Sequence, residues 1–117
     1  MEAQTVLIAG FSGRALAQSA RRAGFIPLVA DGFGDEDMRA AAAGCEHLPD
    51  VVTHGFRASS LLPALDRLTA GAERPPVGLV LGAGFEGAPG LVEHLDTHYR
   101  VLGCSAATIR QAKDPMA

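Results

Sequence analysis

The chain lacks the features of nucleic-acid-binding, membrane and disulfide-stabilised proteins. Ten lysines and arginines against thirteen acidic residues give a net charge of −3, whereas nucleic-acid binding needs a basic surface. No apolar run reaches the roughly 18 residues of a membrane helix, and no basic segment precedes the first apolar run as in a signal peptide. The two cysteines, Cys45 and Cys104, have no metal-site or disulfide-framework spacing. We therefore expect a cytoplasmic protein with reduced thiols, no nucleic-acid partner and no membrane association.

Aromatic side chains are also scarce. The sequence has no Trp, one Tyr and five Phe, although apolar residues make up 48% of its 117 positions. A chain of this length can bury a hydrophobic core without disulfides or metals. We therefore expect residues 1–117 to form one domain, in which small and aliphatic residues replace bulky aromatic filling.

Apolar runs alternate with amphipathic segments along the chain. Runs without polar alternation are typical of strands that are covered on both faces. They predict strands at residues 5–9, 25–30, 77–81 and 101–102, with a shorter strand at 47–49. The amphipathic segments predict helices at residues 14–23 and 35–43, from Ser59 or Ser60 past Leu68, from Pro89 to about Tyr99, and after a capping Ser105.

Alternating strands and helices with short connections predict a parallel sheet, because right-handed crossovers place the helices on its faces. We expect a doubly wound, three-layer α/β/α domain of about five strands with the first strand at the centre. Ligands of such sheets bind at the carboxyl ends of the strands, where the winding reverses. The loops of interest are 10–13, 31–34 and 82–87. The deepest residues should be Val6, Leu7, Ile8, Val29, Leu79, Val80 and Leu81.

The loop after the first strand begins Gly10-Phe11-Ser12, where dinucleotide-binding proteins carry a glycine-rich turn. Ser12 occupies the position of the glycine that lets a pyrophosphate approach the backbone. Asp31 ends the second strand, about where a ribose-binding acid would lie. Three interpretations stay open: a tight turn without a ligand, a helix N-terminus that faces an anionic group, and a nicotinamide dinucleotide site.

The loop at residues 82–87 contains three glycines, which permit unusual backbone angles and close approach by a ligand or another domain. Within it, Gly84, Phe85 and Glu86 would present an aromatic ring beside a carboxylate. Glu86 would act as a general base or bind an amine; the alternative is a sharp loop with one solvated glutamate. His94 and His98 have a zinc-binding i, i+4 spacing without a third ligand nearby, so we expect no metal site there.

Several longer segments carry a family resemblance. They are VLIAGFSGRALAQSARRAGF with the following LVADGFGDEDMR, then GLVLGAGFEGAPGLVEHL, and finally VLGCSAATIRQAKDP. In this order and spacing they resemble the N-terminal domain of ATP-grasp carboxylate–amine ligases, particularly those associated with tetrahydromethanopterin and methanofuran pathways. The resemblance covers almost the whole chain.

The resemblance implies a reaction and a division of labour. ATP would phosphorylate a carboxylate, and an amine would attack the acyl phosphate to form an amide. ATP and Mg²⁺ would bind in later ATP-grasp domains of the parent, absent from residues 1–117. This chain would then be a Rossmann-like, substrate-side platform, inactive alone, that meets a small carboxylate or amine. The substrate-site residues implied are Gly10, Phe11, Ser12, Asp31, Gly84, Phe85 and Glu86, with Asp31 and Asp35 as a loop-fixing pair and with no catalytic, metal-ligating or cofactor-binding residue.

The sequence also leaves two functions open outside the ligase family. The chain would otherwise be a stand-alone small-ligand or nucleotide-binding module without catalysis, or a fragment of a dinucleotide oxidoreductase. Phe11, Phe33 and Phe85 at the loop tips would form a partly exposed apolar patch that faces the ATP-binding part or drives homo-oligomer formation. The opposite outcome is that each ring folds back over the end of the sheet and closes the core.

Overall fold

The computed structural model describes residues 3–103, which form a five-stranded, all-parallel sheet with helices. The predicted doubly wound, Rossmann-like α/β fold is confirmed. The predicted helix after Ser105 lies outside the described residues. The strands are β1 (Thr5–Gly10), β2 (Ile26–Asp31), β3 (Gly44–His47), β4 (Leu79–Leu81) and β5 (Val101–Gly103). The helices are α1 (Arg14–Arg22), α2 (Glu36–Ala41), α3 (Val51–His54), α4 (Ala58–Ala70) and α5 (Pro89–His98).

The strand order is β3-β2-β1-β4-β5, with β1 at the centre as predicted. The chain proceeds from β1 to β3 toward one edge, then returns past β1 to add β4 and β5 on the other side. Leu7 of β1 pairs in parallel with Leu28 of β2 on one side and with Leu79 of β4 on the other. The winding direction therefore reverses between β1 and β4, and the loops that follow these strands flank the reversal point.

Successive residues of the central strands pack into two separate apolar layers, because strand side chains alternate between the faces of a sheet. Leu7, Leu28 and Leu79 pack with residues of α4 and α5 on one face. Val6, Ile8, Val29 and Val80 pack with residues of α1 and α2 on the other face. The seven predicted core residues are each at most 1% exposed, so the hydrophobic runs identified the centre of the three layers.

The region from α2 to α4 differs from its prediction. The edge strand β3 spans Gly44–His47 rather than 47–49, and α2 ends at Ala41 rather than 43. Among the described strands, only β2 flanks β3. The residues of β3 are alternately half-buried and exposed, so no apolar run marked this strand. The four-residue helix α3 was not predicted. Helix α4 begins at Ala58 without a side-chain cap, whereas the prediction assigned the cap to Ser59 or Ser60.

Among residues 3–103, none of the helices combines the length and the apolar character needed to span a bilayer.

Candidate functional site

The loops after β1 and β4 bind each other at the carboxyl edge of the sheet. The Phe11 N–H donates to the Ala83 carbonyl at 2.9 Å, and the Gly82 N–H donates to the Ala9 carbonyl at 2.7 Å. A Cβ atom at Gly10 would lie only 3.2 Å from the Cα of Gly82. The two backbones therefore meet at van der Waals distance at the point where the winding reverses.

Three phenylalanine rings stack beneath these loops. The centroids of Phe11 and Phe56 are 5.8 Å apart and those of Phe56 and Phe85 are 4.4 Å apart, with planes inclined by 12° and 15°. Phe56 and Phe85 belong to the core layer of α4 and α5, and Phe11 packs against it. Gly84 fits above the stack because it has φ +117° and no side chain; a Cβ there would lie 2.9 Å from ring atoms of Phe11 and Phe56.

The structure matches the predicted, partly exposed patch of Phe11, Phe33 and Phe85 only in part. Phe85 is only 4% exposed, Phe11 is half-buried, and Phe33 alone is largely exposed, at 55%. Phe85 and Phe11 fold back because Phe56, which the sequence analysis did not identify, provides a ring for both to stack on. Aromatic stacking of this kind adds to the free energy gained from burial. The stacked rings of Phe11, Phe56 and Phe85 therefore stabilise the loops of the site.

Asp31 holds the loops after β1 and β2 in position. Its side chain is fully buried; Oδ2 accepts a hydrogen bond from the Gly13 N–H and Oδ1 one from the Gly34 N–H, each at 3.0 Å. Gly13 can approach this closely because it lacks a Cβ, which would lie 2.3 Å from Val29 Cγ1. Both carboxylate oxygens therefore accept hydrogen bonds from the backbone. Asp31 is thus a buried residue that fixes the conformation of the two loops and does not contact solvent.

Asp35 has a separate role from Asp31. Its Oδ1 accepts a hydrogen bond from the Met38 N–H at 2.7 Å and caps the N-terminus of α2. A side-chain acceptor at this position satisfies one of the unpaired donors of the first helical turn. The two aspartates each fix backbone, as the loop-fixing interpretation proposed, but they do so at different places.

Glu86 is the exposed carboxylate of the β4 loop. Its Oε2 accepts a hydrogen bond from the Gly84 N–H at 2.9 Å. Backbone N–H groups of Glu86 itself, Gly84 and Phe85 lower the pKa of the carboxyl group, partly opposed by desolvation. A carboxylate with a lowered pKa is a weaker base and stays ionised at neutral pH. This electrostatic environment favours ion pairing with a cation over proton abstraction.

A cavity of about 300 Å³ adjoins this carboxylate. Its lining comprises Gly82, Ala83, Phe85, Glu86 and Val92. Of the predicted site residues, Phe85 and Glu86 thus line the same cavity. Gly84 packs against the ring of Phe11. Gly10 is buried against the β4 loop and Ser12 is exposed just before α1. Each loop therefore has one exposed predicted residue, Ser12 after β1 and Glu86 after β4, and Glu86 lies beside the cavity.

The histidines show no three-ligand arrangement. His94 and His98 stack edge to face with centroids 5.0 Å apart, and Nδ1 of His98 lies 2.9 Å from Thr97 Oγ1. Within the described part of the chain, no group of three or more His, Cys, Asp or Glu residues could hold a metal ion.

In comparisons with known proteins, no protein-family model, curated protein or solved structure matches this chain.

Proposed function

We propose that this chain is the substrate-side N-terminal domain of an ATP-grasp-type ligase that forms an amide through an acyl phosphate, and that it is inactive alone. The observation that carries the proposal is the cavity after β4, where the ionised carboxylate of Glu86 lies beside the apolar surfaces of Phe85 and Val92. The segment at residues 78–95, which resembles the ligase family, supplies every residue of this cavity.

The arrangement is suited to binding an amine. The Glu86 carboxylate attracts an ammonium group, and the apolar walls accommodate the carbon chain attached to it. The aromatic stack and the hydrogen bonds of Asp31 hold the loops still, so little ordering is needed when a ligand binds. We assign ATP and Mg²⁺ to the ATP-grasp domains of the parent polypeptide, which would be this domain's partner.

A stand-alone ligand-binding module is the second candidate function. In this alternative, Glu86, Phe85 and Val92 bind the amine without a contribution from another domain. This alternative predicts the same amine binding but no dependence on further domains.

Isothermal titration calorimetry and amide NMR spectra would test the proposal. A primary alkylamine should bind and shift the amide signals of residues 82–87, whereas ATP–Mg²⁺ and NAD should not bind this chain. Glu86→Gln should abolish the amine response, while Glu93→Gln, which removes an exposed charge from nearby α5, should preserve it. Tight ATP or NAD binding by the chain alone would contradict the assignment of the nucleotide to other domains.

Activity assays on a longer protein, in which residues 1–117 are followed by any further sequence that the gene encodes, would distinguish the two candidate functions. The ligase proposal predicts ATP hydrolysis that requires both a carboxylate and an amine, with loss of that activity in Glu86→Gln. Amine binding without any such activity in the longer product would support the stand-alone module instead.

A further inference from the structure

A second cavity lies at the carboxyl end of β3 and shares no lining residue with the cavity after β4. It has a volume of about 240 Å³ and lies between the end of β3 and the start of α4. Four of its side chains can donate hydrogen bonds to a ligand. They are His54, Arg57, Ser59 and Ser60.

The imidazole of His47 is held in a defined orientation. Its Nε2 lies 2.9 Å from the Gly32 carbonyl oxygen, which can only accept, so Nε2 carries the hydrogen. The ring also packs on the β2 loop, because a Cβ at Gly34 would lie 3.0 Å from its Cγ and Cδ2 atoms. With the hydrogen on Nε2, the ring offers a ligand its Nδ1 atom, which accepts a hydrogen bond.

The other donors around the cavity are uncommitted. Within residues 3–103, the side chains of His54, Arg57 and Ser59 form no hydrogen bond or ion pair, and the Ser60 hydroxyl bonds only to the Arg57 carbonyl, at 3.3 Å. The guanidinium of Arg57 therefore keeps its planar set of N–H donors for a ligand. Such a fork matches two oxygens of a phosphate or carboxylate group.

Among the described residues of the lining, Asp50 is the one carboxylate, and its side chain does not cap α3. Its charge is opposite in sign to that of Arg57, and its carboxylate can accept a hydrogen bond from a hydroxyl group. The cavity volume equals roughly eight water molecules at about 30 Å³ each, which is below the usual range for drug-sized ligands. A small molecule that combines an anionic group with a hydroxyl group matches the volume and these polar groups.

We propose that this cavity binds a small phosphorylated alcohol. Arg57 binds two phosphate oxygens, the hydroxyls of Ser59 and Ser60 and the ring of His54 bind the remaining oxygens, and Asp50 and Nδ1 of His47 accept from the ligand hydroxyls. This site is independent of the amine site proposed at Glu86, so either can fail without the other.

Amide and histidine-ring NMR signals would be followed during titration with inorganic phosphate, glycerol phosphate or acetate at fixed pH and ionic strength. Both phosphates should shift signals of residues 57–60 and leave those of residues 82–87 in place. Glycerol phosphate should bind more tightly than inorganic phosphate because it adds the hydroxyl for Asp50. Acetate should bind weakest because it offers fewer oxygens to the donors.

Matched variants distinguish a formed site from general charge attraction. Arg57→Gln should weaken glycerol phosphate binding by roughly tenfold or more, the range for hydrogen bonds to charged groups. Arg39→Gln removes an exposed charge from α2, outside the cavity, and should change affinity by less than about twofold because salt screens distant surface charges. Equal weakening in both variants, equal binding of acetate, or no localised shift in the wild-type chain would overturn the proposal.

Discussion

Asp31→Asn should destabilise the domain while changing only one atom of a buried side chain. Both oxygens of Asp31 accept backbone N–H groups, one from Gly13 and one from Gly34, at 3.0 Å each. An asparagine keeps one acceptor oxygen and replaces the other by an NH₂ donor. One of the two backbone N–H groups then faces a donor and loses its hydrogen bond.

The expected loss of stability follows from the one hydrogen bond that the substitution removes. A hydrogen bond to a charged group contributes about 1.5–3 kcal/mol, and leaving the buried donor unsatisfied adds about 1–3 kcal/mol. Because these contributions overlap, we expect the free energy of unfolding to fall by about 2–4 kcal/mol. Small domains have a total of about 5–15 kcal/mol, so the variant should fold but with a clearly smaller margin.

Urea unfolding followed by circular dichroism would measure the change. With the slope usual for small proteins, the midpoint should fall by about 1–2 M. Asp35→Asn is the matched control, since asparagine caps a helix about as well as aspartate and should change stability by no more than about 0.5 kcal/mol. If Asp31→Asn proved as stable as Asp35→Asn, Asp31 would not be the element that holds the two loops.

The remaining predictions concern the β4 loop and the end of α5. Gly84→Ala should lower the free energy of unfolding by about 2–4 kcal/mol, because φ +117° is strained for alanine and the Cβ meets two phenyl rings at 2.9 Å. Gly87→Ala, with no atom within 4 Å of its Cβ, should stay within about 0.5 kcal/mol in the same urea assay. Tyr99→Phe should cost about 1 kcal/mol near neutral pH, because the tyrosine hydroxyl donates to Asp66. Burial and this hydrogen bond raise the pKa of Tyr99 above its ordinary 10.0, so its contribution is full below that pH. The difference in stability between wild type and Tyr99→Phe should therefore shrink as the pH rises through the raised pKa, and a constant difference would contradict this assignment.

The central layer could be predicted from sequence because its strands are covered on both faces. β1, β2 and β4 are apolar at nearly every position, so each carries its own signal. The edge strand β3 is only alternately half-buried, and α3 has four residues, fewer than the helical period needs to show itself. β3 and α3 were therefore mispredicted or missed because tertiary pairing and packing form them, without a hydrophobic pattern in their own residues.

The strand topology was enough to predict where the site lies. It was not enough to predict which side chains pack inside it. Parallel strand order places the loops after β1, β2 and β4 at one edge whatever their sequences are. Phe56 belongs to no periodic segment, and its stacking on Phe85 joins residues 29 positions apart in sequence. Only tertiary structure creates that contact, so the burial of Phe85 could not be read from its glycine-rich surroundings.

Asp31 and Glu86 show the same limit for charged residues. Each carboxylate follows or ends a buried strand, so sequence pattern alone gave them equal standing as ligand-binding groups. The fold separates them: Asp31 is fully enclosed and gives both oxygens to backbone N–H groups, whereas Glu86 remains exposed and ionised beside a cavity. The buried Asp31 carboxylate stabilises the loop conformation, whereas the exposed Glu86 carboxylate attracts cationic ligands. Substitution of Asp31 should therefore alter the unfolding free energy first, while substitution of Glu86 should alter amine affinity with little change in unfolding.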